Sequence, residues 1–122
     1  MKEKKFRAWD RELKMMTKGR DLQWLLFNRN NSYSPNRVLY WLEYTSVEDK
    51  DGVEMCEGDI VEWKVGSIKC IGSVQYIHGC WYKGIPGHTM QALHSYQKST
   101  KIVGHIFNPT DEYIEAGGTL NG

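Results

Sequence analysis

The sequence predicts a mainly β domain, β-rich α+β at most, built as a small barrel or sandwich-like core. Three observations predict it. Short stretches rich in Val, Ile, Tyr, Trp and Phe recur along the chain, the residue types that pack well on a pleated surface. Turn pairs separate them, among them Asp51-Gly52, Gly58-Asp59, Gly66-Ser67 and His78-Gly79. The 122 residues are 40% hydrophobic and 12% aromatic, enough for one packed core and too short for two comfortable ones.

The elements follow in order. Residues 4–9 read as a strand, with Phe6 and Ala8 on one face and Lys5, Arg7 and Trp9 on the other. Asp10-Arg11-Glu12 makes a polar turn, and residues 13–17 a return strand. Residues 21–27 are short and apolar and read as strand, and residues 28–36, rich in Asn and Ser, as a loop. Residues 38–45 form the next strand, and Asp51-Gly52 marks a hairpin turn because Gly accepts the positive φ it requires. Strands over 60–65, 68–77 and 80–83 are joined by Gly66-Ser67 and His78-Gly79, and 84–87 is irregular. Met90, Leu93 and Tyr96 have near-helical spacing, which predicts a short helix over 89–97. Residues 101–107 form a final strand, and Thr110-Asp111-Glu112 caps one helical turn after Pro109.

Three blocks stand out together: Lys5-Phe6-Arg7-Ala8-Trp9-Asp10, the run from Tyr44 to Val61 containing Asp49-Lys50-Asp51-Gly52 and Glu57-Gly58-Asp59, and Ile102-Val103-Gly104-His105-Ile106-Phe107-Asn108-Pro109. In this order and spacing they resemble the YopX family of bacteriophage and prophage proteins. The blocks cover 32 of the 122 residues and bracket nearly the whole chain. Ser46-Val47 departs from the family's usual Gly-Leu, and Cys56 from its usual aromatic residue. The resemblance implies a phage-derived, soluble, β-rich protein with no assigned catalytic activity, so no catalytic or binding residue is carried over. Glu57 to Trp63, then a turn, then Gly72-Ser73-Val74-Gln75-Tyr76 also looks similar to SH3-like small barrels. There Gly58 supplies the turn conformation and Asp59 bonds nearby backbone N–H groups. The expected organisation is a single domain over residues 1–116, an SH3-like small barrel with N-terminal strand additions, followed by a flexible tail over 117–122.

The net charge of +1 excludes a strongly basic chain but hides a segregation. Residues 1–20 carry eight Lys or Arg against three Asp or Glu, and residues 21–63 carry three against nine. Residues 64–108 carry five lysines, no arginine and no acid, together with all four histidines. Residues 109–122 carry three acids. Within the acid-free segment Lys64, Lys69, Lys83, Lys98 and Lys101 are interleaved with Tyr76, Trp81, Tyr82 and Tyr96. Cations track phosphates and aromatic faces stack on bases, so Lys69, Tyr76, Trp81, Lys83 and Lys98 are the candidate nucleic-acid-binding residues. Set against this, strand alternation puts Tyr76 on the face of Val74, where it would be buried, and Arg makes better bidentate and stacking contacts than Lys.

Other chemistry is weaker. Setting Gly52 as position 6 of a calcium loop puts Val47 at position 1 and Gly58 at position 12, and neither is a ligand. His78, Cys80, His88 and His94 match no zinc spacing. Cys56, Cys70 and Cys80 read as buried, small apolar residues in a reducing compartment. The N-terminus leads into Phe6-Arg7-Ala8-Trp9-Asp10 rather than an apolar signal core, and no apolar run approaches membrane-spanning length. No nucleophile elbow, phosphate loop or dinucleotide fingerprint occurs. The expectation is a non-enzymatic binding or assembly module in the bacterial cytoplasm, without cofactor, metal or small-molecule substrate. It self-associates, acidic segment against basic segment, or binds a protein partner. Single-stranded nucleic-acid binding through residues 64–108 is the alternative.

Overall fold

The computed structural model describes residues 5–11, 13–19, 39–86, 88 and 90–118. The chain divides into two compact units, Met1–Tyr44 and Thr45–Gly122. The predicted strand over 21–27 and the loop over 28–36 lie outside the described residues.

In the first unit, β1 (Phe6–Asp10) pairs antiparallel with β2 (Met15–Lys18), Ala8 opposite Thr17. On its other side it pairs with the first half of β3 (Leu39–Glu48), Ala8 opposite Trp41. The Asp10 carboxylate accepts the Leu13 N–H at 3.0 Å and so shapes the turn between β1 and β2. Trp9 and Leu42 are buried on the sheet face they share.

The second half of β3 enters the second unit beside β4 (Glu54–Cys56). There β5 (Asp59–Val65), β6 (Ile68–Ile77), β7 (Cys80–Gly84), β8 (Met90–Ala92) and β9 (Lys101–His105) form a five-stranded sheet in the order β8-β7-β6-β5-β9. The sheet curls into a half-barrel, so the chain is the mainly β small-barrel fold the sequence predicts. Gly58, at φ 84, makes the turn into β5, and Asp59 Oδ2 accepts the Cys56 N–H at 2.8 Å across it. Alternation along β5 sends neighbours to opposite faces. Val61 and Trp63 join Met55, Val74 and Leu93 in one core cluster. Ile60 packs on the other face with Ile85 and Tyr113.

Tyr113 comes from α1 (Asp111–Glu115), the one α-helix of more than a single residue among the described residues. Thr110 caps its start by accepting the Tyr113 N–H, as the sequence predicts. Gly117, at φ 105, closes its end, and the Gly118 N–H reaches back to the Tyr113 carbonyl at 2.9 Å. Residues 119–122 of the predicted tail lie outside the described residues.

Two expectations are corrected. The helix over 89–97 is instead β8, a set of turns and a 3-10 turn at Gln97–Ser99. Met90, Leu93 and Tyr96 share no buried face: Leu93 is 1% exposed and Tyr96 49%. The Leu93 N–H bonds the Trp81 carbonyl and so extends sheet pairing, not a helix. Cys80 is exposed rather than buried, because it follows the tight turn at His78-Gly79 that ends the β6–β7 hairpin. Cys56 is buried and Cys70 half-buried.

Candidate functional site

Five lysines, Lys50, Lys64, Lys69, Lys98 and Lys101, line one cleft of about 300 Å³ in the second unit, together with Glu62, Trp63 and Ser99. Each lysine reaches it from a different element. Lys64 and Lys69 face each other across the β5–β6 hairpin, and Lys101 on β9 lies opposite Glu62. Like charges directly opposed in a sheet oppose folding, and the carboxylates of Glu62 and Glu112 both engage Lys69, so Lys50, Lys64, Lys98 and Lys101 form no ion pair among the described residues.

Lys69 is the ion-paired member. Its Nζ lies 2.8 Å from a Glu112 carboxylate oxygen on α1 and 3.1 Å from Glu62. These hydrogen bonds, donated to Glu112 first and to Glu62 second, hold the Lys69 amine above its ordinary pKa, so it stays cationic.

Lys50 and Lys98 are placed by backbone bonds. Asp49, 7% exposed, takes the Asp51 and Val53 N–H groups on Oδ1 at 2.9 Å each. Its Oδ2 takes the Ile102 N–H at 3.2 Å. One carboxylate thus shapes the turn after β3 and fastens it to β9. The Lys50 N–H donates to the Thr100 carbonyl at 2.8 Å, and Gln97 Nε2 to the Glu48 carbonyl at 2.7 Å. Ser99 Oγ accepts the Lys64 N–H at 3.1 Å, which joins the 3-10 turn to β5.

The five sequence candidates do not form one surface. Lys69 and Lys98 line the cleft. Tyr76 and Trp81 form an edge-to-face pair, centroids 5.0 Å apart, at the far end of the β6–β7 hairpin. By alternation they belong to the sheet face of Val74, opposite to that of Lys69. Tyr76 is nonetheless 53% exposed, because it lies at the hairpin end beyond the core. Lys83 is wholly buried, which corrects its assignment to a binding surface. It stands opposite Val74, and the pleat therefore turns it inward. Lys50 escaped sequence reasoning. It sits among acids in the chain, and two long-range bonds bring it to the cleft: the Asp49 carboxylate accepts the Ile102 N–H, and the Lys50 N–H donates to the Thr100 carbonyl.

Among the described residues no group of three or more His, Cys, Asp or Glu is placed to hold a metal ion. No helix among them is long and apolar enough to cross a membrane.

Comparison with known proteins agrees with this architecture. The chain is similar in fold to a solved structure, protein EF1440 from Enterococcus faecalis, with a TM-score of 0.56 and 21% identity over 87% of this chain and 94% of that one. No curated protein matches it. The profile of the YopX protein family matches residues 5–111, nearly the whole length, and the chain therefore belongs to the YopX family.

Proposed function

We propose that the chain is a non-enzymatic binding module whose surface is the lysine-lined cleft, and that the cleft takes the phosphodiester backbone of a nucleic acid without reading its bases. The observation that carries this is the gathering of five lysines around one cleft, two of them opposed across a hairpin. Such an arrangement works against folding and is relieved by an anionic partner. Lysine serves a phosphate as a point charge, and the lack of arginine leaves the cleft without bidentate contacts, so it holds the backbone by charge alone. Among the described residues lining the cleft there is no platform for base stacking, since Trp63 is 5% exposed, and the Tyr76–Trp81 pair belongs to the opposite sheet face. The family resemblance to phage and prophage proteins supports a setting in the cytoplasm of a bacterial host.

The test is anisotropy of a labelled single-stranded oligonucleotide with the full chain. Binding is expected at low ionic strength, about 50 mM, and to weaken steeply with salt. Reversal of Lys50 and Lys98 to Glu, neither of which forms an ion pair among the described residues, removes two phosphate contacts. It should flatten the plot of log affinity against log salt by about 1.4. Undetectable binding at low salt, or an unchanged slope in the double variant, sinks the reading. Binding of labelled poly-glutamate, with no binding of the oligonucleotide, assigns the cleft to an acidic protein instead.

A second copy of the chain is the alternative partner, and a separate observation favours it. Phe6, Met15 and Trp41 are 42%, 55% and 46% exposed, and the pairing register sets them on one face of the first unit's sheet. Exposed apolar surface of this kind marks protein contacts. Sedimentation run beside the anisotropy measurement separates the two, because self-association gives a dimer without oligonucleotide.

A further inference from the structure

Lys83 is 0% exposed on β7, opposite Val74 on one side and Gln91 on the other. Its Nζ donates to the Ser95 carbonyl and, at 2.8 Å, to Thr100 Oγ1. It also lies 4.7 Å from the centre of the Trp63 ring, a residue that lines the cleft. The Thr100 hydroxyl in turn donates to the Tyr96 carbonyl at 2.9 Å. One amine therefore ties both ends of the segment from Ser95 to Thr100 to the inside of the sheet.

That segment has little intrinsic order. Tyr96 sits at φ 55, in the left-handed region that a side chain with a Cβ disfavours. The 3-10 turn that follows is a single turn, and no side-chain bond caps its start. Yet it carries Lys98 and Ser99 and leads directly into Lys101, so three of the residues lining the cleft depend on its conformation. A buried amine is costly unless it is hydrogen-bonded. An apolar residue would fill the position opposite Val74 without that cost. What lysine adds there is two donors at the end of a long stem, aimed at the two ends of this segment.

We propose that Lys83 is the positioning residue of the cleft, latching the Ser95–Thr100 segment from within so that Lys98 and Lys101 are presented together to the ligand. The inference rests on the reading of the cleft as a phosphate-binding surface. Its structural half stands independently, because the latch acts on the ligand-free chain. Donors rather than charge make the latch, since a neutral amine still carries two N–H groups.

Amide hydrogen exchange of the full chain tests it. Lys83→Met keeps the stem and removes the donors. Exchange at Ser99, Thr100 and Lys64, whose N–H groups bond to or within the segment, is expected to speed by about ten-fold, with the amides of β6 unchanged. Oligonucleotide affinity should fall about five-fold or more in a protein that is no less stable, since a buried charge has gone. A merely structural lysine would not weaken binding in a protein of equal stability. Unchanged exchange at those three amides overturns the proposal. Thr100→Val covers the case in which Lys83→Met fails to fold. It keeps the amine, removes the hydroxyl link to Tyr96, and should loosen the same amides. Protection lost evenly across the sheet in both variants overturns the latch. Absence of oligonucleotide binding in the unaltered chain overturns the nucleic-acid reading alone, because exchange reports on Lys83 with no ligand present.

Discussion

A lysine amine ordinarily titrates near 10.5, and burial pushes that of Lys83 down to about 8, with the nearby Cys70 sulfur acting weakly in the other direction. The folded chain therefore binds fewer protons at this site than the unfolded chain between those two values. Stability linked to Lys83 rises with pH across that window and is lost as pH falls through about 8. The full span corresponds to about 3 kcal/mol. Urea denaturation between pH 7 and pH 10 should show this rise, and Lys83→Met should flatten it; equal slopes for both proteins would refute the assignment. This residue also marks a limit of sequence reading. Alternation in Cys80-Trp81-Tyr82-Lys83 sets Lys83 on the face of Trp81, but a lysine's charge argues for solvent. Only the acceptors at Ser95 and Thr100, distant in sequence, make burial tolerable. Asp59 is the opposite case. Its partner, the Cys56 N–H, is three residues away, and the turn role was readable from Gly58-Asp59 alone.

At the scale of elements, the β5–β6 hairpin was legible because Gly66-Ser67 separates two long runs of strand-forming residues. The register that Gly66-Ser67 sets is what opposes Lys64 to Lys69. The 3-10 turn was not legible, since its conformation is imposed by Lys83, Glu48 and Lys64 from three other strands. A three-residue apolar spacing was the only local signal, and it pointed to a helix. The hairpin yields a prediction in which stability and binding part company. Lys64→Glu replaces an opposed like pair with an attractive one, worth about 0.5 kcal/mol. The variant should unfold at higher denaturant while binding oligonucleotide more weakly. Lowered stability would show that the pair is no strain in the free protein, and unchanged affinity would show that Lys64 is no part of the binding surface.

At the scale of the molecule, the near-neutral charge of +1 says little, because folding sorts the charges again. The acid-free segment supplies four lysines to the cleft and loses the fifth to the interior, and the acidic segment contributes Lys50. Charge runs in the sequence thus indicated the second unit as the place to look and named only two of the five lining lysines among the candidates. The remainder depends on pairings between strands far apart in the chain. The same sorting gives the whole protein a characteristic response to salt. The Debye length falls from about 30 Å at 10 mM to about 8 Å at 150 mM, so added salt screens the lysines from one another. The melting temperature of the ligand-free chain should rise over that range. A polyanion does the same work by binding, and stabilises in proportion to its occupancy. Oligonucleotide should therefore raise the melting temperature at 10 mM salt and lose that effect at high salt. The variant with Lys50 and Lys98 both reversed to Glu should show a shallower rise with salt and little shift with oligonucleotide. A melting temperature that falls with salt in the unaltered chain, or an oligonucleotide shift that survives the double reversal, would mean that the lysines are not the seat of the repulsion. The phosphate track would then have to be sought on another surface.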